Sequence, residues 1–189
     1  MLNRILFART TSVGFVVLTL LGFSGRTSLA QEAKQPDVWA PLKHFLGAWE
    51  GTSNGQPGKG KVELSFQFVM NGRFLQVRNR STYPRQEKNP KGEVHEDWGL
   101  ISYDRARKTF VYRQFNVEGF VNQYVMEPVS ADGKKITFVS ESIENIPPGW
   151  RARETYRIVS ENEFAAVFDL AAPGKDFEVY SQSQLKRKK

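Results

Sequence analysis

From Gly47 onward, apolar and polar residues alternate with a period of two, the pattern of strands with one buried face. The clearest run is Val62-Leu64-Phe66-Phe68, interleaved with Glu63-Ser65-Gln67. Asn71-Gly72 follows, a hairpin signal because both turn positions need positive φ. The return strand is expected over 73–81, and a polar loop over 83–92 carries Pro84 and Pro90 into a strand over 93–103. Further strands are expected over 108–115, 120–127, 134–141, 150–159, 163–171 and 177–185, separated by short turns such as Asp132-Gly133 and Pro147-Pro148-Gly149. With 48–53 as the first, the count is ten. Nearly every link is too short for a crossover helix, so neighbours must pair antiparallel. Closing such a meander removes its two exposed edges. The expected fold is therefore all-β, an up-and-down antiparallel closed barrel of about ten strands. Trp39, Leu42 and Leu46 recur at helical spacing ahead of it, which predicts a short helical turn with Asp37 as N-cap and Pro41 in the first turn.

The first thirty residues do not fit that pattern. Arg4 and Arg9 precede the apolar run 13–23 (VGFVVLTLLGF), and Ser28-Leu29-Ala30 places small residues where a signal peptidase cuts. A membrane-spanning helix needs about 20 apolar residues, more than this run supplies. The reading is a cleavable signal over 1–30, a linker over 31–37, a barrel domain over 38–186 and a basic tail over 187–189, exported to the periplasm or the medium. Cysteine is absent, so stability must come from burial and hydrogen bonding.

Charge narrows the partners. Three of the 27 basic residues and none of the 20 acidic ones lie in the first thirty positions. Lys186-Arg187-Lys188-Lys189 supply four more, and without them the body balances at 20 against 20. A nucleic-acid binder would carry its excess on a folded face, so the terminal run reads as a solvated tail and nucleic acid is not expected. Outward strand positions include Arg78, Arg80, Arg113, Arg151, Arg153, Arg157, Glu63 and Glu178. On a lipid-facing barrel each Arg would cost roughly 2–4 kcal/mol near the midplane, so an integral membrane barrel is not expected either.

The segment 42–51, LKHFLGAWEG, resembles the opening of calycin-like barrels, where a Gly-x-Trp on the first strand follows a short helical turn. Asn71-Gly72-Arg73-Phe74-Leu75, Gly99-Leu100-Ile101-Ser102-Tyr103-Asp104 and the ending 177–186 resemble blocks of an uncharacterised bacterial family of exported or soluble ten-stranded barrels, in the same order. That resemblance implies an interior cavity like that of fatty-acid-binding proteins or lipocalins. The related nitrobindin-type barrels hold heme through a histidine on a late strand. The two histidines here are His44 and His95, so that ligand is missing and no cofactor is expected.

Candidate chemistry is sparse. No Gly-x-Ser-x-Gly elbow and no phosphate-binding glycine loop ahead of a helix is present. His95-Glu96-Asp97 is the one cluster of metal-ligand types, but on a strand His95 and Asp97 point opposite to Glu96. It reads as a solvated patch beside a loop, with no metal, and His44 reads as a surface or capping residue. Taking the more apolar parity of each strand as inward places Phe66, Leu75, Val77, Trp98, Tyr112 and Tyr124 inside, with Phe138, Tyr156 and Phe168. Two acids share these parities, Glu96 beside Trp98 and Glu154 beside Tyr156. Arg78 would reach inward if its strand followed Phe74, whereas Leu75 and Val77 argue the reverse. A ten-stranded barrel is wider than the eight-stranded size that side chains just fill, so interior volume should remain. The expected function is non-catalytic binding of a small apolar or amphipathic molecule, with Trp98, Tyr112, Tyr124, Tyr156 and Glu154 as ligand-binding residues. Two alternatives stand beside it: a structural or interaction barrel without ligand, and an enzyme using an interior carboxylate–tyrosine pair.

Overall fold

The period-two pattern produces ten strands in a computed structural model that describes residues 37–189. They are β1 (Gly47–Gly55), β2 (Gly58–Val69), β3 (Phe74–Tyr83), β4 (Glu93–Asp104) and β5 (Thr109–Asn116), then β6 (Val121–Met126), β7 (Lys135–Glu144), β8 (Arg151–Ser160), β9 (Glu163–Ala171) and β10 (Glu178–Arg187). Each pairs antiparallel with its sequence neighbours, and β1 pairs with β10 to close the barrel. Residues 1–36, which carry the expected signal, its cleavage site and most of the expected linker, lie outside the described residues.

The helical turn is a 3-10 helix, η1 (Ala40–Phe45). Its N-cap is Trp39 and not Asp37. The Asp37 carboxylate instead accepts the backbone N–H of Trp39, two residues on, at 3.1 Å. Leu42 and Phe45 are fully buried and stopper the barrel end at which β1 starts. There Phe45 packs edge-on against Phe164 at 5.1 Å between ring centroids, and Trp49 does the same at 4.7 Å. Rings in this edge-to-face geometry add about 0.5–1.5 kcal/mol per pair beyond their burial.

The C-terminal run corrects the sequence reading. Arg187 is not the first residue of a solvated tail but the last residue of β10. Its guanidinium lies 4.2 Å from the Trp49 ring and donates to the Leu46 carbonyl at 2.6 Å and the His44 carbonyl at 3.0 Å. The Trp49 indole in turn donates to the Phe45 carbonyl at 2.7 Å. A 3-10 turn this short leaves carbonyls unpaired at its end, and these donors satisfy them. Lys188 is also engaged, through its backbone N–H to the Ala48 carbonyl at 2.8 Å and its ammonium to Glu63 at 3.2 Å. His44, expected at the surface, is half-buried against Phe45 and Trp49, and its Nε2 has no partner among the described residues. Burial, and then the Arg187 charge, hold its pKa below the usual histidine value.

Candidate functional site

The barrel interior changes character along its axis. At the η1 end it is filled with Phe45, Trp49, Phe66 and Phe164. At the opposite end a cavity of about 280 Å³ remains, with Pro57, Glu93, Glu118 and Phe120 near the turns that form its mouth. Val62, Leu64, Val77, Ala166, Phe168 and Leu185 give it apolar walls.

The polar part of the lining comes chiefly from β4. Residues paired directly across antiparallel strands lie on the same face. Leu75 and Val77 of β3 point inward and are fully buried, and Val77 pairs with Gly99 while Asn79 pairs with Asp97. The inward row of β4 is therefore Glu93, His95, Asp97, Gly99 and Ile101. Gly99 serves the packing, since a Cβ there would meet the Tyr112 ring at 2.4 Å.

This register overturns one set of expectations. Trp98 is not in the interior; it is 43% exposed on the outer wall, 6.1 Å from Phe115 on the adjacent strand. Glu96 also faces out and pairs with Arg80. Arg78 is exposed and donates to Gln76 at 3.1 Å. Choosing the more apolar parity fails on β4 because Val94, Trp98 and Leu100 form an outer apolar row, while the cavity takes the polar one. Tyr112, Tyr124 and Tyr156 lie inside and are almost fully buried. Glu154 lines the cavity on the same β8 face as Tyr156.

His95, set aside as solvated, is the centre of the polar lining. Its Nδ1 lies 2.8 Å from Glu118 and its Nε2 lies 3.3 Å from Asp97. Asp97 accepts from the Asn79 amide at 2.8 Å, and Ser81 donates to Asn79 at 3.3 Å. Burial alone would lower the His95 pKa, but the hydrogen bonds and charges of Asp97 and Glu118 outweigh it and push it up to about 9. Glu93, His95 and Glu118 also bring three potential metal-ligand atoms within 4.8 Å of one another. The row follows from the register of β4 against β3, a pairing across the loop 84–92 that alternation within β4 alone does not specify.

Glu154 stands opposite Phe138 on one neighbouring strand and Phe168 on the other. It is enclosed by protein, and what surface it retains is cavity wall. Burial first, and then the charges of Asp97 and Asp169, hold its carboxyl well above the usual range, which favours the protonated acid. The three tyrosines are also held well above their ordinary value, by burial and then by neighbouring acids and hydroxyls. Tyr112 and Tyr124 stack at 5.5 Å, and the Tyr124 hydroxyl donates to Gln114 at 3.0 Å. Among the described residues the lining contains four carboxylates and one histidine but no lysine or arginine. Even without Glu154, the three carboxylates of Glu93, Asp97 and Glu118 outnumber the single histidine, so the formal charge of the lining is net negative.

Neither a family model nor a curated protein matches the chain. Among solved structures, the crystal structure of Rv2717c from M. tuberculosis superposes with a TM-score of 0.62 at 18% identity, over 82% of this chain and 99% of that one. The likeness is one of fold. A de novo designed fluorescence-activating β-barrel superposes at a TM-score of 0.38 with 11% identity, over 77% of this chain and 94% of the design. The designed barrel EF1p2_mFAP2b, bound to DFHBI, gives 0.40 with 10% identity, over 80% and 100%.

Proposed function

We propose that the protein is an extracytoplasmic, soluble binding barrel that takes a small amphipathic molecule through the mouth between Pro57, Glu93 and Glu118. The observation carrying this reading is a cavity of about 280 Å³ with apolar walls and an acid-rich lining that, among the described residues, has no lysine or arginine. Ligand pockets run from about 300 to 1,000 Å³, so the guest is small. Its apolar part packs against Leu64, Ala166 and Phe168. Its polar end carries hydrogen-bond donors or positive charge, because a negative lining repels anions and offers acceptors to donors. Tyr112, Tyr156 and Glu154 orient the buried part through hydroxyl and carboxyl groups set among rings. The signal-like pattern of residues 1–30 supports placing this binding outside the cytoplasm, and charged outward positions such as Arg113, Arg151 and Arg157 support a barrel surrounded by water.

The test is thermal denaturation of the chelator-treated protein with butylamine and benzylamine, against butyrate and benzoate. Saturable stabilisation by the amines alone, abolished by the cavity-filling variant Ala166→Trp, is the expected result. Equal stabilisation by amines and carboxylates would refute the electrostatic part. No response to any of the four, together with no small molecule released from freshly purified protein in mass spectrometry, would leave an interaction barrel without ligand.

A further inference from the structure

At the mouth of the cavity, two strand residues and one turn residue converge. Glu93 and His95 are two apart on β4 and project from the same face. Glu118 reaches them from the β5–β6 turn, and its position is not left to chance. The Val117 N–H donates to the Glu96 carbonyl at 2.9 Å, tying that turn to β4. On its other side the Asn145 amide donates to the Gly119 carbonyl at 2.9 Å.

From this geometry we infer that Glu93, His95 and Glu118 form a binding site for one divalent transition-metal ion, with His95 Nδ1 and one carboxylate oxygen from each glutamate as ligands. Their ligand atoms lie within 4.8 Å of one another. Tetrahedral bonds of about 2.1 Å hold ligand atoms roughly 3.4 Å apart, a contraction that two glutamate side chains at the rim can make. Glu118 retains 43% of its side-chain exposure and is free to do so.

A second observation lies behind the ligands. A metal-bound histidine almost always donates its other ring N–H to a carboxylate, which fixes the tautomer and the ring plane. Here Nε2 faces Asp97, whose side chain is only 3% exposed. One oxygen of Asp97 takes the Asn79 amide, and the other, Oδ1, is buried with no partner among the described residues. A buried, under-satisfied carboxylate behind the histidine is costly unless positive charge lies ahead of it. Three carboxylates, Glu93, Asp97 and Glu118, surround the His95 ring, and among the described residues the lining provides no lysine or arginine to balance them. A dication does balance them.

The ligand set decides the class of ion. One imidazole with two carboxylates suits Zn²⁺ or Mn²⁺, whereas Ca²⁺ and Mg²⁺ prefer oxygen alone. Three protein ligands leave at least one coordination position open, the arrangement of zinc sites that engage water or a small molecule. This inference goes beyond the guest-binding reading and does not depend on it.

The experiment is calorimetric titration of the chelator-treated, dialysed protein with Zn²⁺, Mn²⁺, Mg²⁺ and Ca²⁺, with no organic guest present. One Zn²⁺ or Mn²⁺ per chain is expected, with no saturable binding of Mg²⁺ or Ca²⁺ at the same concentration. Glu118→Gln, on an exposed turn that does not support the core, and His95→Ala should each weaken binding at least tenfold. Asp97→Asn should weaken it 10- to 100-fold without removing a ligand. His44→Ala should bind as the native chain does, and a Zn²⁺-dependent shift of the His95 ring resonances should accompany saturation. Unchanged affinity in both Glu118→Gln and His95→Ala, or equal loss in His44→Ala, would overturn the site. Because the amine test is run in chelator and this one without guest, either reading can fail while the other stands.

Discussion

Glu154 gives the barrel a built-in dependence on pH that one substitution should remove. Its carboxyl sits between Phe138 and Phe168 and is held well above the usual carboxylate range, first by burial and then by the charges of Asp97 and Asp169. A carboxyl whose pKa is raised in the folded state adds stability that is complete below its unfolded value of about 4.3. That stability is lost as pH rises toward the folded value, because the unfolded chain ionises freely while the folded one must stay protonated. Glu154→Gln keeps the shape and polarity of the protonated acid but does not ionise. Native and variant should therefore have similar stability near pH 4. Above about pH 5 the variant should gain on the native chain by about 1.4 kcal/mol per pH unit, the linkage slope for one proton, until Glu154 ionises. For a domain of this size, about 2–4 °C of melting temperature accompanies each kcal/mol, so the gap should widen by roughly 3–6 °C per pH unit. Urea denaturation at half-unit steps from pH 4 to pH 8 measures it directly. Parallel stability curves would show that Glu154 ionises as readily in the barrel as in water, and the account of the cavity floor would be wrong.

Other contacts make equally direct predictions. Arg187→Met should cost about 2–3 kcal/mol in urea denaturation, from the lost Trp49 stacking and the two carbonyls of His44 and Leu46 left without donors. Arg187→Lys should recover less than half of that, since an ammonium cannot stack and fork at once. Gly99→Ala should destabilise by about 1–3 kcal/mol, because the new methyl meets the Tyr112 ring at 2.4 Å and the Arg113 carbonyl at 2.6 Å; a neutral result would mean the ring moves freely. Protein recovered from the envelope or the medium should have an intact mass beginning near Gln31, and retention of the first thirty residues would contradict the signal reading.

The fold was legible because strand count and connection length depend on local patterns. The alternation at Val62-Leu64-Phe66 and the turn at Asn71-Gly72 specify β2 and β3 with no knowledge of the rest. Asn71 and Gly72 adopt φ of 58° and 74°, the left-handed region this turn requires. Closure was legible as an argument about edges, although the β1–β10 register that realises it is a contact between the two ends of the barrel. Arg187 was misread for the same reason. A run of four basic residues looks like a solvated tail until the barrel closes and brings Trp49 beneath the guanidinium.

The candidate site was less legible, and the pattern of error is informative. Parity placed Tyr112, Tyr124 and Tyr156 inside because each shares its face with a large apolar neighbour, Phe110, Met126 and Ile158 respectively. It failed on β4, where Trp98 is solvated and His95 and Asp97 are enclosed. A rule that sends apolar residues inward presumes an interior filled with side chains. It must break wherever the interior holds water or a guest, since a cavity wall there can be polar at little cost. The strand that violates the rule is thus the strand that lines the cavity mouth. Local inconsistency of this kind concentrates where function has displaced packing. On β4 the displacement is large: three titratable side chains, Glu93, His95 and Asp97, occupy consecutive inward positions that a filled core would have given to leucine or valine. That substitution of charge for apolar volume is why the site is placed at this end of the barrel rather than beneath η1, where every inward ring meets another ring.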